Sequence, residues 1–338
     1  MTAARLLART VRGVEFVVVE EIHDLGLGRV VHVGHREVWF DCPDPGPALL
    51  GLRCVDDLFL LAATAEGLGR GRDLRPLAKA AAAVDVPALL ALRRHVAGVS
   101  QVDTVDVSAS FLGRRAFTRY DLEDAVGEPL AAATGLSYRS RRVGVPPPGL
   151  SWRVTVADDR AVLALRLARR PLHRRAYRRV TRPGSLHPPL AAAMLRLAGP
   201  LEGRRLLDPC CGVGTIPLEA GAAPDALVAT DHDPAAVAAA RANGLSSAGL
   251  ADAGRLPVGS GAVDVVVSNP PWNRQVPAGG LLARRPDRFW RELRRVLRPG
   301  GRAVLLLPAD LRPGLPVLAR HPVSLSGRHP EVLVMTRD

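Results

Sequence analysis

Hydrophobic and polar positions alternate in short, irregular blocks over the first 182 residues. Periods of two and of three to four residues follow one another there, separated by turn-forming residues, as is typical of an α+β region. The pattern predicts strands at Leu6–Thr10, Val30–Val33, Glu37–Phe40, Val102–Ser108, Trp152–Val156 and Ala161–Leu167, the last two forming a hairpin. It predicts helices at Val14–Asp24, Ala48–Leu61 and Asp121–Ala133, and a helix pair at 74–97 that breaks at Pro87.

From residue 183 the pattern becomes a regular alternation of buried strand, loop and amphipathic helix. The predicted strands are Arg205–Leu207, Leu227–Thr230, Val263–Ser268 and Arg302–Leu307, and the predicted helices are Pro188–Leu197, Ala235–Ala242 and Arg285–Leu297. The alternation predicts a doubly wound, mainly parallel α/β sheet, which binds ligands at the carboxyl ends of its strands. Little chain is left for a strand between Asp231 and Asp252, so we expect that edge of the sheet to be short.

Composition places the chain among folded globular proteins. Of its 338 residues, 47% are hydrophobic and 23% are charged, and the mean hydropathy is +0.08, which excludes a disordered chain. Charged residues interrupt every apolar run before the ~18 residues that a membrane helix needs, and the first residues lack the apolar block of a signal peptide. The cysteines form no CxxC pair and the histidines no HExxH pattern. We therefore expect a soluble cytoplasmic protein without a metal site.

Positive charge is concentrated in one segment. Residues 139–182 hold 13 arginines against two acidic residues, which accounts for most of the net charge of +13. Such a block favours contact with nucleic-acid phosphates. The candidate contacts are Arg169, Arg170, Arg174, Arg175, Arg178 and Arg179. Two other interpretations stay open: a solvated linker, and genomic base composition, since Lys79 is the single lysine of the chain.

The segment Asp208–Thr215, with the sequence DPCCGVGT, follows the first strand of the C-terminal half. Its two glycines let the backbone approach a cofactor closely, and the helix that follows offers free N–H groups. Pro217 stands where a dinucleotide fingerprint needs its third glycine. The leading acid suits a cationic, amine-bearing ligand such as S-adenosylmethionine, and a plain strand-to-helix turn is the alternative. The candidate cofactor residues are Asp208, Cys210, Gly212, Gly214 and Thr215.

Two further acids follow along the chain. Asp231 ends the second strand, 23 positions after Asp208, near the ~20-residue offset at which a carboxylate binds ribose hydroxyls in this architecture. His232 adjoins it as a further candidate, and Asp233 is suited to cap the next helix. Asp252, followed by Ala253, offers a carboxylate to the exocyclic amine of an adenine.

The most specific pattern is Asn269-Pro270-Pro271-Trp272, directly after a buried strand. The prolines fix the backbone so that the Asn269 amide oxygen and the Pro270 carbonyl can both accept hydrogen bonds from one exocyclic amine, which positions that amine for methyl transfer. Trp272 offers a face on which an extruded base can stack. The alternative is a turn with Trp272 in the core. We take Asn269, Pro270, Pro271 and Trp272 as the candidate catalytic residues, and Asn269 also as a cofactor contact.

Residues 183–338, which carry these motifs in order, resemble the class I S-adenosylmethionine-dependent methyltransferases that methylate amino groups. Leu172–Arg178 with Pro183–Leu186 resembles the entrance to the catalytic domain of THUMP-containing RNA methyltransferases, and Ala8–Glu15 resembles the start of their ferredoxin-like domain. The resemblance implies methyl transfer to guanosine N2 in structured RNA, most often tRNA, which the THUMP region holds. It also implies that Asp208 and the glycines hold the methionine end of the cofactor.

The resemblance implies a Rossmann-like methyltransferase domain at 186–338, an arginine-rich linker at 166–185 and a ferredoxin-like plus THUMP-like α+β region at 1–165. We expect a monomer whose partner is RNA, with no membrane and no metal. Two alternatives stay open. The acceptor can be rRNA, a DNA adenine or a protein amide, since the same Asn-Pro-Pro pattern serves all of these. The chain can also be a catalytically silent RNA-binding protein that retains the fold.

Overall fold

The computed structural model describes residues 3–69, 71–99, 104–145, 149–271, 277–325 and 327–338. The chain divides into two units. One comprises Met1–Arg9, Ile22–Leu52 and Asp56–Leu172, and the other comprises Thr10–Glu21, Arg53–Val55 and His173–Asp338. The second unit thus includes two short segments from early in the chain.

The first unit contains a mixed eight-stranded sheet in the order β2-β3-β1-β4-β8-β7-β5-β6. Its strands are β1 (Ala4–Arg9), β2 (Arg29–Gly34), β3 (Glu37–Cys42), β4 (Asp57–Ala65), β5 (Thr104–Phe111), β6 (Ser137–Tyr138), β7 (Leu150–Ala157) and β8 (Arg160–Arg166). The helices of this half of the chain are α1 (Glu15–Asp24), α2 (Arg75–Ala82), α3 (Val86–Ala97) and α4 (Arg119–Thr134), with short 3-10 helices at Pro47–Gly51 and Arg141–Val143. These elements confirm the predicted α+β region.

One predicted element of this region is wrong. The spacing over Ala48–Leu61 predicts a helix, but the chain forms only the 3-10 helix Pro47–Gly51 and then enters β4. β4 pairs antiparallel with β1 on one side and with β8 on the other, and Leu58, Phe59 and Leu60 are buried. A strand that is buried between two neighbours carries apolar residues on both faces, so its sequence does not show a period of two.

The second unit contains a seven-stranded sheet in the order β11-β10-β9-β12-β13-β15-β14. Its strands are β9 (Arg205–Asp208), β10 (Ala226–Asp231), β11 (Gly249–Leu250), β12 (Val263–Ser268), β13 (Leu297–Leu307), β14 (Val317–Pro322) and β15 (Glu331–Thr336). The helices are α5 (Pro188–Leu197), α6 (Thr215–Ala220), α7 (Pro234–Ala242), α8 (Gly280–Arg284) and α9 (Asp287–Val296). This is the Rossmann-like sheet that the periodicity predicts, with β11 only two residues long, as expected.

Parallel pairing places the functional ends of three strands at one edge. β10 pairs with β9, and β9 with β12, all parallel, with Ala229 opposite Asp208 and Val266 opposite Leu207. The apolar residues of β12 and β13 pack against Phe289 and Leu293 of α9 in the core. The antiparallel strands β14 and β15 complete the sheet beyond β13. The rigid centre of the sheet therefore holds the loops after β9, β10 and β12 side by side.

Candidate active site

A cleft of about 1040 Å³ opens at the carboxyl ends of β9, β10 and β12. Its lining includes most of the residues that the sequence predicts for the site: Asp208, Cys210, Gly212, Thr215, Asp231, His232, Asp252, Ala253, Asn269, Pro270 and Pro271. A cleft of this volume accommodates a ligand of nucleoside size together with part of an acceptor. Trp272 lies outside the residues that the structure describes.

Asp208 ends β9 and is almost fully buried, with 1% of its surface exposed. Its Oδ1 accepts a hydrogen bond from the Ser268 hydroxyl at 2.7 Å and one from the Cys210 backbone N–H at 3.2 Å. Burial, with a smaller contribution from the charge of Asp231, raises the pKa of Asp208 to about 7. Asp208, the first acid of the glycine turn (Asp208–Thr215), therefore keeps its proton at pH values at which an ordinary aspartate is ionised.

Asp231 connects the end of β10 to the glycine turn. Its Oδ2 accepts from the Gly212 N–H at 2.9 Å, and its Oδ1 accepts from the Asp233 N–H at 3.0 Å. The Nδ1 of His232 lies 3.5 Å from Asp231 Oδ1. Asp233 caps α7 by accepting from the Ala235 N–H at 2.8 Å, as the sequence predicts. The backbone thus orients the Asp231 carboxylate before any ligand binds.

Asp252 is held in the same way after β11. Its Oδ1 accepts from the Gly254 N–H and its Oδ2 from the Leu281 N–H, both at 2.8 Å. A Cβ at Gly280 would lie only 2.1 Å from Asp252 Oδ2, and Gly280 has a φ of +55°. Glycine at 280 is therefore needed both for the backbone conformation and for the close approach to Asp252.

Asn269 follows the buried end of β12. Its Nδ2 lies within 3.5 Å of the Gly184 carbonyl oxygen, to which it donates a weak hydrogen bond. With the amide nitrogen turned toward Gly184, the amide oxygen is the group that Asn269 offers to other partners. Pro270 and Pro271 line the cleft beside it.

The cysteines of the glycine turn do not supply a nucleophile. Burial raises the pKa of Cys210 and of Cys211 above the ordinary thiol value, and the charges of Asp208 and Asp231 add to the effect. Thiols with raised pKa values stay protonated and unreactive at neutral pH. Gly214 does not line the cleft: it has a φ of +83°, and a Cβ there would come within 3.2 Å of the Leu245 side chain.

The sequence analysis did not assign three parts of the cleft lining to the site. These are Arg182–His187, the stretch Leu306–Asp310 at the end of β13 and just beyond it, and Leu325, Arg328, His329 and Pro330 between β14 and β15. Pro183–Leu186 carries the resemblance to a catalytic-domain entrance, but nothing in its sequence shows that it lines the cleft. The signal for Leu306–Asp310 is position, because this stretch contains the carboxyl end of another parallel strand.

The candidate RNA contacts differ in exposure. Arg169, Arg170, Arg174 and Arg179 are exposed. Arg175 is directed inward, with 7% of its side chain exposed, and forms a 2.9 Å ion pair with the fully buried carboxylate of Glu219. Arg178 is partly buried, and burial lowers its pKa. Four of the six predicted arginines are thus exposed.

The Glu219 carboxylate binds two further side chains besides Arg175. Arg53 Nη2 lies 2.7 Å from Glu219 Oε2, and the Tyr177 hydroxyl donates to Oε1 at 2.6 Å. Burial and this carboxylate raise the pKa of Tyr177, which keeps its hydroxyl protonated as a donor.

Among the described residues, no cluster of His, Cys, Asp and Glu is arranged to hold a metal ion, and no helix is long and apolar enough to span a bilayer.

The chain is similar to proteins that modify guanine in RNA. Residues 175–313 match the family described as the RMKL-like methyltransferase domain. Over 98% of its length the chain is 35% identical to the tRNA (guanine(6)-N2)-methyltransferase of Thermus thermophilus, and the match covers 99% of that protein. The crystal structure of TrmN from Thermus thermophilus matches over 99% of both chains, with a TM-score of 0.79 and 32% identity.

A second kind of relative matches only in part. The U6 snRNA (guanine-N(2))-methyltransferase of Bos taurus is 35% identical over 48% of this chain, which corresponds to 33% of that protein. The similarity to this relative is therefore limited to about half of the chain and to a third of the relative's own length.

Proposed function

The chain belongs to the tRNA guanine-N2-methyltransferase family, and we propose that it transfers a methyl group from S-adenosylmethionine to the exocyclic N2 amine of a guanosine in tRNA. The observation that carries this proposal is the convergence, in one cleft, of Asp208, Asp231 and Asp252 with the Asn269-Pro270-Pro271 turn. The full-length similarity to a tRNA guanine-N2-methyltransferase supports the choice of acceptor.

The cleft residues fit the donor. The carboxylates of Asp231 and Asp252 are already oriented by backbone N–H groups, so they can accept hydrogen bonds from ribose hydroxyls and from an adenine amine without reorganisation. An acidic lining also suits a ligand that carries ammonium and sulfonium charges. Bound there, S-adenosylmethionine supplies an electrophilic methyl group.

The chain's own residues position the acceptor. The Asn269 amide oxygen and the Pro270 carbonyl accept the two N–H groups of the guanine amine and thereby aim its lone pair. Neither group is a strong base, so the amine proton passes to solvent after the new bond forms. Stacking of the guanine on Trp272 stays a prediction, as do monomeric behaviour and a cytoplasmic location.

The test is methyl transfer with isotope-labelled S-adenosylmethionine to separate pools of unmodified tRNA, rRNA and DNA, followed by nucleoside mass spectrometry. We expect label in N2-methylguanosine from tRNA and a loss of that label in Asn269→Ala. The exposed Arg291→Ala on α9, away from the cleft lining, is the matched surface variant and should retain it. Label in another nucleoside or pool would overturn the acceptor. A chain that binds the cofactor but labels no pool would overturn the activity.

A further inference from the structure

Asn243 is the residue that directly follows α7, and its side chain bonds to other segments of the chain while its backbone N–H caps the helix. It is buried, with 3% of its surface exposed. Its Oδ1 accepts from the backbone N–H groups of Arg179 and Val180 at 2.9 and 2.8 Å. Its Nδ2 donates to the carbonyl oxygens of Val180 and Val213, each at 3.0 Å. Two acceptor and two donor positions of one amide are thus all used.

The Val213 contact reaches the glycine turn. Val213 stands between Gly212, whose N–H donates to Asp231, and Gly214, whose N–H donates to the Cys211 carbonyl at 2.8 Å. These bonds leave the turn little freedom, so a displacement of the Val213 carbonyl must move Gly212 and the carboxylate to which it is bonded. Asn243 therefore acts on the cofactor-binding loops although it does not line the cleft.

The Arg179 and Val180 contacts reach the arginine-rich segment. These residues open a strap, Arg179–His187, whose later part lines the cleft. Arg182 forms an ion pair with Asp233, and the Gly184 carbonyl accepts from Asn269. The strap therefore contacts the loops that follow β10 and β12, and through Asn243 it contacts the loop that follows β9.

The first residue of the strap and several of the residues just before it are also positively charged. Arg174 and Arg179 are exposed, and Arg179 is the residue whose backbone N–H Asn243 holds. A phosphate that binds the Arg179 side chain restricts a backbone that is two hydrogen bonds away from Val213. Any restriction of the strap thus favours one position of the glycine turn.

We propose that Asn243 is a positioning residue that couples RNA binding at the strap to cofactor binding at the glycine turn, so that RNA and S-adenosylmethionine bind with positive cooperativity. The inference rests on the proposed function for the identity of both ligands. Linkage requires that each ligand raise the affinity of the other by the same factor, and such factors are about 5 to 150. The enzyme would then bind S-adenosylmethionine most tightly when RNA is already bound.

Substitutions at position 243 can separate its contact with the strap from its contact with the glycine turn. Aspartate has nearly the shape of asparagine and can accept from the Arg179 and Val180 N–H groups, but its carboxylate cannot donate to the Val180 and Val213 carbonyls. Asn243→Asp therefore keeps two of the three strap hydrogen bonds and loses the bond to the turn, at some cost in stability because a carboxylate oxygen then faces two carbonyl oxygens. Asn243→Ala removes both connections and leaves buried backbone groups unpaired, which destabilises the fold as well.

The experiment is calorimetric titration of S-adenosylhomocysteine, which does not react, into the full chain alone and into the chain saturated with unmodified tRNA transcripts. For the wild type we expect tRNA to raise the affinity for S-adenosylhomocysteine at least fivefold. The affinity ratio is the affinity for S-adenosylhomocysteine with tRNA bound divided by the affinity without tRNA. For Asn243→Asp we expect tRNA affinity close to that of the wild type and an affinity ratio near one. Val296→Ala, which opens a core cavity at the end of α9, is the control for lost stability and should keep the wild-type ratio.

A second pair of variants tests the charged end. Arg174→Ala/Arg179→Ala should leave the affinity for S-adenosylhomocysteine without RNA unchanged and lower the ratio. Arg291→Ala/Arg294→Ala removes two exposed charges from α9 and should retain the ratio. A wild-type ratio of one, or an undiminished ratio in Asn243→Asp, overturns the coupling. If the coupling is absent but the chain still forms N2-methylguanosine, the proposed function stands without the coupling. A coupled chain that forms no N2-methylguanosine refutes the function and leaves the coupling.

Discussion

The Ser268 hydroxyl donates a buried hydrogen bond of 2.7 Å to Asp208, and so joins the ends of two neighbouring parallel strands, β12 and β9. Ser268 is fully buried, and Asp208 is nearly so. The bond places the acid that begins the glycine turn directly beside the turn that carries Asn269. The two halves of the proposed chemistry, cofactor binding and amine positioning, are therefore attached to one another at the centre of the sheet.

The raised pKa of Asp208 predicts a pH dependence of stability. The unfolded chain loses this proton near pH 4, whereas the folded chain retains it up to a pH of about 7. Because the folded state binds the extra proton in this window, the free energy of unfolding falls as pH rises from about 4 to about 7. Asp208→Asn abolishes the contribution, which is up to about 4 kcal/mol.

Thermal unfolding of the wild type and Asp208→Asn in parallel from pH 4.5 to 8 measures this contribution. The remaining groups titrate alike in both proteins, so the difference in Tm isolates Asp208. We expect the Tm of the wild type to fall relative to that of the variant as pH rises to about 7, and the difference in Tm to stay constant above that pH. A difference in Tm that does not vary with pH would contradict the assignment.

Asn269 and Asp231 should fail in different ways. Asn269→Ala removes a group that aims the acceptor, so kcat should fall about 100-fold while the affinity for S-adenosylhomocysteine is nearly unchanged. Asp231→Ala removes a charged acceptor that also holds Gly212, so affinity should fall about 10- to 100-fold. Calorimetry and single-turnover rates separate the two effects, and an equal loss of affinity in both variants is inconsistent with these roles.

The exposed and inward arginines should also differ. Arg174→Ala/Arg179→Ala should lower tRNA affinity and reduce the slope of log affinity against log salt by about 2, because each arginine contributes about one phosphate contact. Arg175→Ala should instead lower the Tm, since it leaves the buried Glu219 carboxylate without its buried cationic partner. Salt titrations of tRNA binding and melting curves check both expectations. An unchanged slope in the double variant would make the segment a linker.

Gly280 predicts a steric effect at Asp252. In Gly280→Ala the new methyl group meets Asp252 Oδ2, so the carboxylate must move and cofactor affinity should fall about 2- to 10-fold. Gly261→Ala is the matched control, because Gly261 has a φ of +64° and open space where the methyl group would lie. Both variants place alanine at a positive φ, so the difference in affinity between them reports the displacement of Asp252. Equal affinities would show that Asp252 does not contact the cofactor.

Local sequence was sufficient for the parallel strands of the second unit and for most of its cleft, but not for the antiparallel strands β14 and β15. The strand boundaries at Asp208, Asp231 and Ser268 follow from the alternation of apolar runs and loops, and the parallel order brings those ends to one edge. The fold class, the short β11 and the family could all be predicted from these residues. The same reasoning failed at Ala48–Leu61, because pairing of β4 with β1 and β8 overrides a helical spacing.

The roles of individual polar side chains were decided by the tertiary structure. Arg175 resembles its neighbours in sequence, but Glu219, 44 positions away, draws it inward. Asn243 looks like an ordinary helix end before a glycine, yet its amide bonds segments that lie 30 and 63 positions distant. Periodicity is a local property that sequence determines by itself. The partner of a buried polar atom is set by whichever distant segment packing brings within hydrogen-bond distance, and no local pattern specifies that.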